Sequence, residues 1–279
     1  MAKRRMMSSC CAPPLARPDL DAALLVERHH AEWFVAEGSV AGTEVHTDPD
    51  VTWLVHPGEA WRNSAIMVRL SPSTASRRLD MLVSRYRKHG RGMALWVSPA
   101  ATPDNLTELL KGRGLRCRQH FPAMLRYLSA STRPRKGPAG LEIRRVKNVE
   151  EFERVRHPAI GPLTTPLRRA ALQRLATLIS SRHRRSVMLV AWRDGHPVGS
   201  SELFLGSECA GLHSLTVPEQ HRHRGIGTAL VEHTCTEAVR RGASAMVLLA
   251  STDGRPLYEH CGFSEVARFG YWYRNFQRC

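Results

Sequence analysis

Between Leu215 and Gly227 the chain reads Leu-Thr-Val-Pro-Glu-Gln-His-Arg-His-Arg-Gly-Ile-Gly, a β-branched, apolar run that passes into a glycine-bearing loop. From Ile226 the period changes: Ile226, Leu230, Thr234 and Ala238 lie four apart, and Gly242 stands where a helix C′ glycine belongs. Strand, glycine loop and helix in that order point to an α/β fold. Glycines at 225 and 227 remove side chains where a ligand touches the backbone, so the first amides of the helix can face an anion. The helix dipole adds partial positive charge, and Arg222 and Arg224 add whole charges. The segment reads as a phosphate cradle.

The rest of the second half fits a mixed α/β domain over residues 141–279. Leu141 to Val146 reads as a strand and Val149 to Val155 as a helix. A Pro/Gly/Thr-rich break from His157 to Pro166 precedes helical spacing over Leu167 to Ile179. Ser186 to Trp192, Pro197 to Leu205 and Gly211 to Val217 read as a three-strand meander. Beyond the cradle helix come a strand at Met246 to Leu249 and a short helix ending at Gly262. Two strands follow, around Phe263 to Val266 and Tyr271 to Arg274.

A similar order occurs earlier. Leu79, Leu82, Val83 and Tyr86 form a helical face ended by Gly90, and Met93 to Val97 is a strand. A helix through Leu106, Leu109 and Leu110 follows, then strands near Cys117 and Met124 to Tyr127. The repetition reads as a duplicated domain, with the first copy over 19–128, a linker at 129–140 and a poorly ordered segment over 1–18. The alternative is chance likeness, since helix and strand alternate in most α/β proteins.

The net charge of +16 is spread over both halves and forms no single nucleic-acid stripe. Seven cysteines, at 10, 11, 117, 209, 235, 261 and 279, show no paired spacing and read as reduced thiols. No stretch approaches 18 apolar residues, so a soluble, cytoplasmic protein with no membrane partner is expected.

Three segments together resemble the GCN5-related N-acetyltransferase (GNAT) family: Arg222-His223-Arg224-Gly225-Ile226-Gly227, the preceding strand with Val217 eight residues before Gly225, and Leu257-Tyr258-Glu259-His260-Cys261-Gly262-Phe263. Two positions depart from the family pattern. Pro218 directly follows Val217 instead of lying two residues on, and Ser251 stands where many relatives carry Asn. The resemblance implies the acyl-CoA N-acyltransferase fold, in two tandem copies, with acetyl-CoA as co-substrate and an amine acceptor, either a small molecule or a peptide N-terminus or lysine. It implies that Arg222, His223, Arg224, Gly225, Ile226, Gly227 and Thr228 hold the pyrophosphate, and that Leu215, Thr216 and Val217 pair their backbones with pantetheine. It also implies a backbone amide near Leu215 for the acetyl oxygen, a coenzyme contact at Ser251, and Tyr258 as the acid that protonates the departing thiolate. A core tyrosine is the plainer reading of Tyr258.

Strand alternation puts Gly211, His213, Leu215 and Val217 on one face, which makes His213 a candidate general base. Glu202 on the adjoining strand is the second candidate; a base from the acceptor loops, or none, and a plain strand histidine are the alternatives. His29, His30, His221 and His223 lack the spacing of a zinc site, so they read as solvent-facing and no metal is expected. Arg182 to Arg185 reads as a solvated loop. The acceptor loop is expected at His157 to Pro166. The first half has no Arg-x-x-Gly-x-Gly loop: before Leu79 stands Leu70-Ser71-Pro72-Ser73-Thr74-Ala75-Ser76-Arg77, where Ser71 or Ser73 can cap a helix but nothing permits close backbone approach. This half is expected not to bind coenzyme A and to pack against the other. A noncatalytic acyl-CoA-binding module and a basic nucleic-acid-binding protein are the competing functions.

Overall fold

The computed structural model describes residues 19–36, 38, 42–56, 63–90, 92–132, 137–147, 151 and 185–276. In chain order the elements are α1 (Leu20–Ala36), β1 (Glu44–Thr47), β2 (Thr52–Val55), β3 (Ser64–Ile66), α2 (Ala75–Lys88), β4 (Met93–Val97), α3 (Leu106–Gly112) and β5 (Arg116–Tyr127). They continue with β6 (Leu141–Arg145), β7 (Ser186–Arg193), β8 (His196–Leu205), β9 (Ala210–Thr216), α4 (Ile226–Arg240), β10 (Ala245–Leu249), α5 (Arg255–His260) and β11 (Ser264–Arg274). The expected helices at 149–155 and 167–179 and the acceptor loop lie outside the described residues, apart from Glu151.

Among the described residues eleven strands join one sheet in the order β1-β2-β3-β4-β11-β5-β10-β9-β8-β7-β6. The same succession occurs twice: β3, α2, β4, α3, β5 and then β9, α4, β10, α5, β11. Each copy has a parallel pair, β3 with β4 and β9 with β10. The closing strands are exchanged: β5 lies between β10 and β11, and β11 between β4 and β5. This exchange corrects the expected pairs of short strands. Arg116–Tyr127 and Ser264–Arg274 are each one continuous strand, because each must span partners on both sides.

One face of the sheet carries α1 and the other carries α2 to α5. Along β10, Ala245, Val247 and Leu249 pack with Ala22, Val26 and Phe34 of α1, whereas Met246 and Leu248 pack with Val231 and Cys235 of α4. The far end of the second face buries Leu79, Leu82 and Tyr86 of α2 against Trp53, Leu95 and Trp272. Burial of these apolar side chains is the main stabilising term.

Helix α1 is absent from the sequence expectations. Its buried positions 22, 23, 26, 29, 30, 33 and 34 keep helical spacing, and Asp19 accepts a hydrogen bond from the Ala22 amide at 3.0 Å. Two histidines and Glu27 on that buried face hide the pattern. Strands β1 to β3 are likewise not anticipated, being only three or four residues long. Helix α2 is capped by Thr74, not Ser71 or Ser73, and Thr74 makes no side-chain cap bond; Ser71 instead offers its carbonyl to Ala75 at 2.9 Å. At the end of α4 the expected stop is found: Gly242 has φ of 89°, and its amide and that of Ala243 bond to Val239 and Ala238, a Schellman closure.

Candidate functional site

Strands β9 and β10 pair only at Ala210 with Met246 and Gly211 with Val247. Among the described residues their ladder ends there, while β9 runs on to Thr216 and β10 to Leu249. The other edge of each strand stays paired, β9 with β8 and β10 with β5. The result is a wedge with its mouth beside Leu215, Thr216 and Val217, all half-buried.

At the mouth stands the start of α4. Gly225 is its N-cap with φ of 75°, a left-handed conformation that disfavours a Cβ, and no side chain caps the helix. The amides of Ile226, Gly227 and Thr228 are therefore not turned inward by a capping group. A Cβ on Gly227 would stand 3.1 Å from Leu257 Cδ2, and Ile226 is buried against Leu230 and Val198. His223 also has positive φ, at 59°, so the Arg222–Gly225 turn folds tightly. Arg222 donates from Nε to the Val217 carbonyl at 3.0 Å, which ties the loop to the wedge mouth; Arg224 is exposed. Pro218 starts a single 3-10 turn, Glu219–His221.

Tyr258 lies on α5, on the α4 face of the sheet, in the same apolar cluster as Leu215 and Leu257. Burial pushes its phenol up to about 12. Ser251 is exposed, and its Oγ accepts the Gly254 amide at 3.1 Å, a local turn contact that occupies one lone pair.

The expected alternation along β9 is wrong beyond His213. Ser200 pairs with Thr216 and Glu202 with His213, so β9 carries one extra residue there. Ser214, with φ of 53°, is the bulge. Leu215 consequently shares the α4 face with Ala210 and Leu212, while Gly211 and His213 face α1. His213 is 9% exposed, with its ring stacked on Trp33 at 4.4 Å and 3°. Glu202, fully buried, accepts a hydrogen bond from Trp33 Nε1 at 3.4 Å.

His29 and His30 are not solvent-facing. They are buried on α1, with His29 Nε2 lying 3.2 Å from His213 Nε2 and His30 packed on Phe34 and Trp96. Burial lowers His29 to about 4 and His30 to about 3, so both are neutral at pH 7. Sequence reasoning missed their role because only α1 brings them to β9. His221 is half-buried and His223 exposed. Among the described residues no group of three or more His, Cys, Asp or Glu is placed to hold a metal ion, and no helix is long and apolar enough to cross a membrane.

The first half has the same parallel pair with its wedge closed. Beyond Ser64 with Ala94 and Ala65 with Leu95, the Thr102 amide donates to the Val68 carbonyl at 3.1 Å. The Leu70 amide donates back to the Thr102 carbonyl at 3.3 Å, and Thr102 Oγ1 donates to the Leu70 carbonyl. These bonds occupy the Val68 carbonyl and both backbone groups of Leu70 from within the chain.

These features agree with comparisons to known proteins. Residues 150–263 match the family model "Acetyltransferase (GNAT) family". A GCN5-related N-acetyltransferase from Kribbella flavida superposes with a TM-score of 0.69 at 17% identity, covering 90% of this chain and 94% of that one. One from Sphaerobacter thermophilus gives 0.61 at 16%, covering 96% and 98%. A tandem GNAT protein from the clavulanic acid biosynthesis pathway gives 0.61 at 16%, covering 95% and 98%. No curated protein matches in sequence. The described residues of both halves thus have the GNAT fold, and residues 150–263 are similar in sequence to the acetyltransferase (GNAT) family.

Proposed function

We propose that the protein is an acetyl-CoA-dependent N-acetyltransferase that acts from its second half by direct attack of an acceptor amine on the thioester. The observation that carries this reading is the wedge between β9 and β10 with the uncapped start of α4 at its mouth. A pyrophosphate fits the α4 amides, and the edge of β9 offers backbone groups to the two amides of pantetheine. The amide of Leu215, beside the bulge, is the donor for the acetyl oxygen; such a preorganised donor is worth roughly 10²–10³ in rate. Arg222, His223, Arg224, Gly225, Ile226, Gly227 and Thr228 form the phosphate end.

The two faces of the sheet divide the proton work. Tyr258, on the α4 face, is held protonated and gives its proton to the departing sulfur. His213, with Glu202 beside it, lies on the α1 face, from which the amine approaches and loses its proton. The closed wedge of the first half supports a purely structural part for that copy.

A noncatalytic acyl-CoA-binding module is the second reading, favoured by the burial of Glu202 and His213 beneath α1. Mass spectrometry of small amines, peptide N-termini and lysine peptides incubated with protein and acetyl-CoA separates the two. The enzyme reading expects an acetylated product whose rate of formation falls about 10²-fold or more in Tyr258→Phe with unchanged coenzyme affinity. Tight acetyl-CoA binding with equal product yields in wild type and Tyr258→Phe would overturn the assigned role of the tyrosine.

A further inference from the structure

The end of the stretch that joins the two halves is folded onto the start of α4. A Cβ on Gly137 would stand 3.4 Å from Ala229 Cβ, a Cβ on Gly225 would stand 3.3 Å from Pro138 Cγ, and Leu141 packs with Ile226 and Leu230. Pro138 is held there by its own turn. The Leu141 amide donates to the Pro138 carbonyl at 3.2 Å, and Gly140, third in the turn, has φ of 71°, the positive value that a type II turn requires. Leu141 then enters β6, which pairs with β7 from Leu141 to Arg145. Backbone bonds on the sheet side thus place the pyrrolidine ring against the N-cap of α4.

Gly225 needs such a neighbour. It is left-handed, no side chain caps the helix it opens, and a glycine loses more conformational freedom on ordering than any other residue. If the amides of a glycine turn become ordered only when an anion arrives, the cost of ordering them is taken from the affinity. Each of the two glycines has an apolar side chain where its own would stand. For Gly227 it is Leu257 of α5, 3.1 Å from a Cβ built there, and for Gly225 it is Pro138. Leu257 belongs to the same half as the cradle, whereas Pro138 precedes the first strand of that half. Proline has almost no rotamer freedom to lose, so its ring gives this support at little entropic cost.

We propose that Pro138 is a positioning residue of the coenzyme site: its ring holds Gly225 in place and keeps the amides of Ile226, Gly227 and Thr228 aimed at the pyrophosphate. The inference rests on the acetyl-CoA reading of that cradle. It gives the end of the joining stretch a part in binding as well as in tethering the halves. The ring offers a ligand no polar group of its own, so its effect falls on whatever the α4 amides hold and not on the thioester end.

Titration calorimetry of the wild type, Pro138→Ala and Pro138→Val tests this, with two ligands: acetyl-CoA and its nucleotide half, adenosine 3′-phosphate 5′-diphosphate. The bond from Leu141 to Pro138 joins backbone atoms, so the turn keeps it in either variant. Pro138→Ala removes the γ carbon and should weaken acetyl-CoA about two- to fivefold, the size expected when freedom returns to a glycine turn. The nucleotide half should lose affinity by the same factor, and Pro138→Val, which keeps γ carbons beside Gly225, should bind both ligands nearly as the wild type does. Pro138→Ser makes the same truncation and takes the place of Pro138→Ala if that variant fails to fold. A proline needed only for the fold would lower the thermal midpoint without the matched loss in the two ligands. Equal affinities in wild type and Pro138→Ala, or a loss for acetyl-CoA that the nucleotide half does not share, overturns the inference alone. Wild-type protein that binds neither ligand overturns the coenzyme reading, and the inference with it.

Discussion

Burial prepares single side chains here in opposite senses. It holds the Tyr258 phenol protonated and keeps His29 and His30 neutral. The histidines have a consequence for stability. An unfolded histidine titrates near 6.5, and these two titrate at about 4 and about 3 in the fold, so between those values the unfolded chain binds more protons. Stability therefore falls as pH drops from 6.5 toward 4, by up to about 1.4 kcal/mol per pH unit for each histidine, with no contribution above 6.5. Thermal midpoints measured from pH 7 to pH 4.5 should decline, and His30→Leu, which removes one of the groups, should decline less; parallel curves would contradict the assignment. The glycine turn that opens α4 and the short helix that carries Tyr258 were legible in the sequence because they belong to short local motifs. His29 was not, because its meaning depends on a partner 184 positions away.

At the scale of elements, the β9 bulge and helix α1 shape the site together. Ser214 adopts positive φ without the glycine that usually marks such a turn, so alternation read from the sequence slipped by one residue past it and put Leu215 on the wrong face. The end of α4 was legible to the residue, since Gly242 is the kind of residue that a left-handed closure requires. Helix α1 depends on the hairpin glycines for its seat. Gly211→Ala should cost about 1–3 kcal/mol in denaturant unfolding, because its methyl collides with His29. The cost should shrink in a His29→Ala background, and additive effects would show that the collision is not the cause.

For the whole molecule the exchange of β5 and β11 decides how the two halves relate. A linker-joined pair of independent domains would unfold in two steps. Here β5 is hydrogen-bonded on both edges to strands of the other half, and β11 runs between β4 and β5. Scanning calorimetry should show one cooperative transition, and two well-separated transitions would contradict the coupling. The duplication itself could be read from the repeated order of elements. The exchange could not, because strand partners far apart in sequence leave no local pattern. The two copies differ where a ligand would enter: the wedge is open beside Leu215 and closed by Thr102 in the first half. Titration calorimetry of acetyl-CoA tests that difference most directly. One coenzyme should bind per chain, with binding lost in both Gly225→Glu and Gly227→Glu. Two coenzymes per chain, or wild-type binding in both variants, would contradict the account.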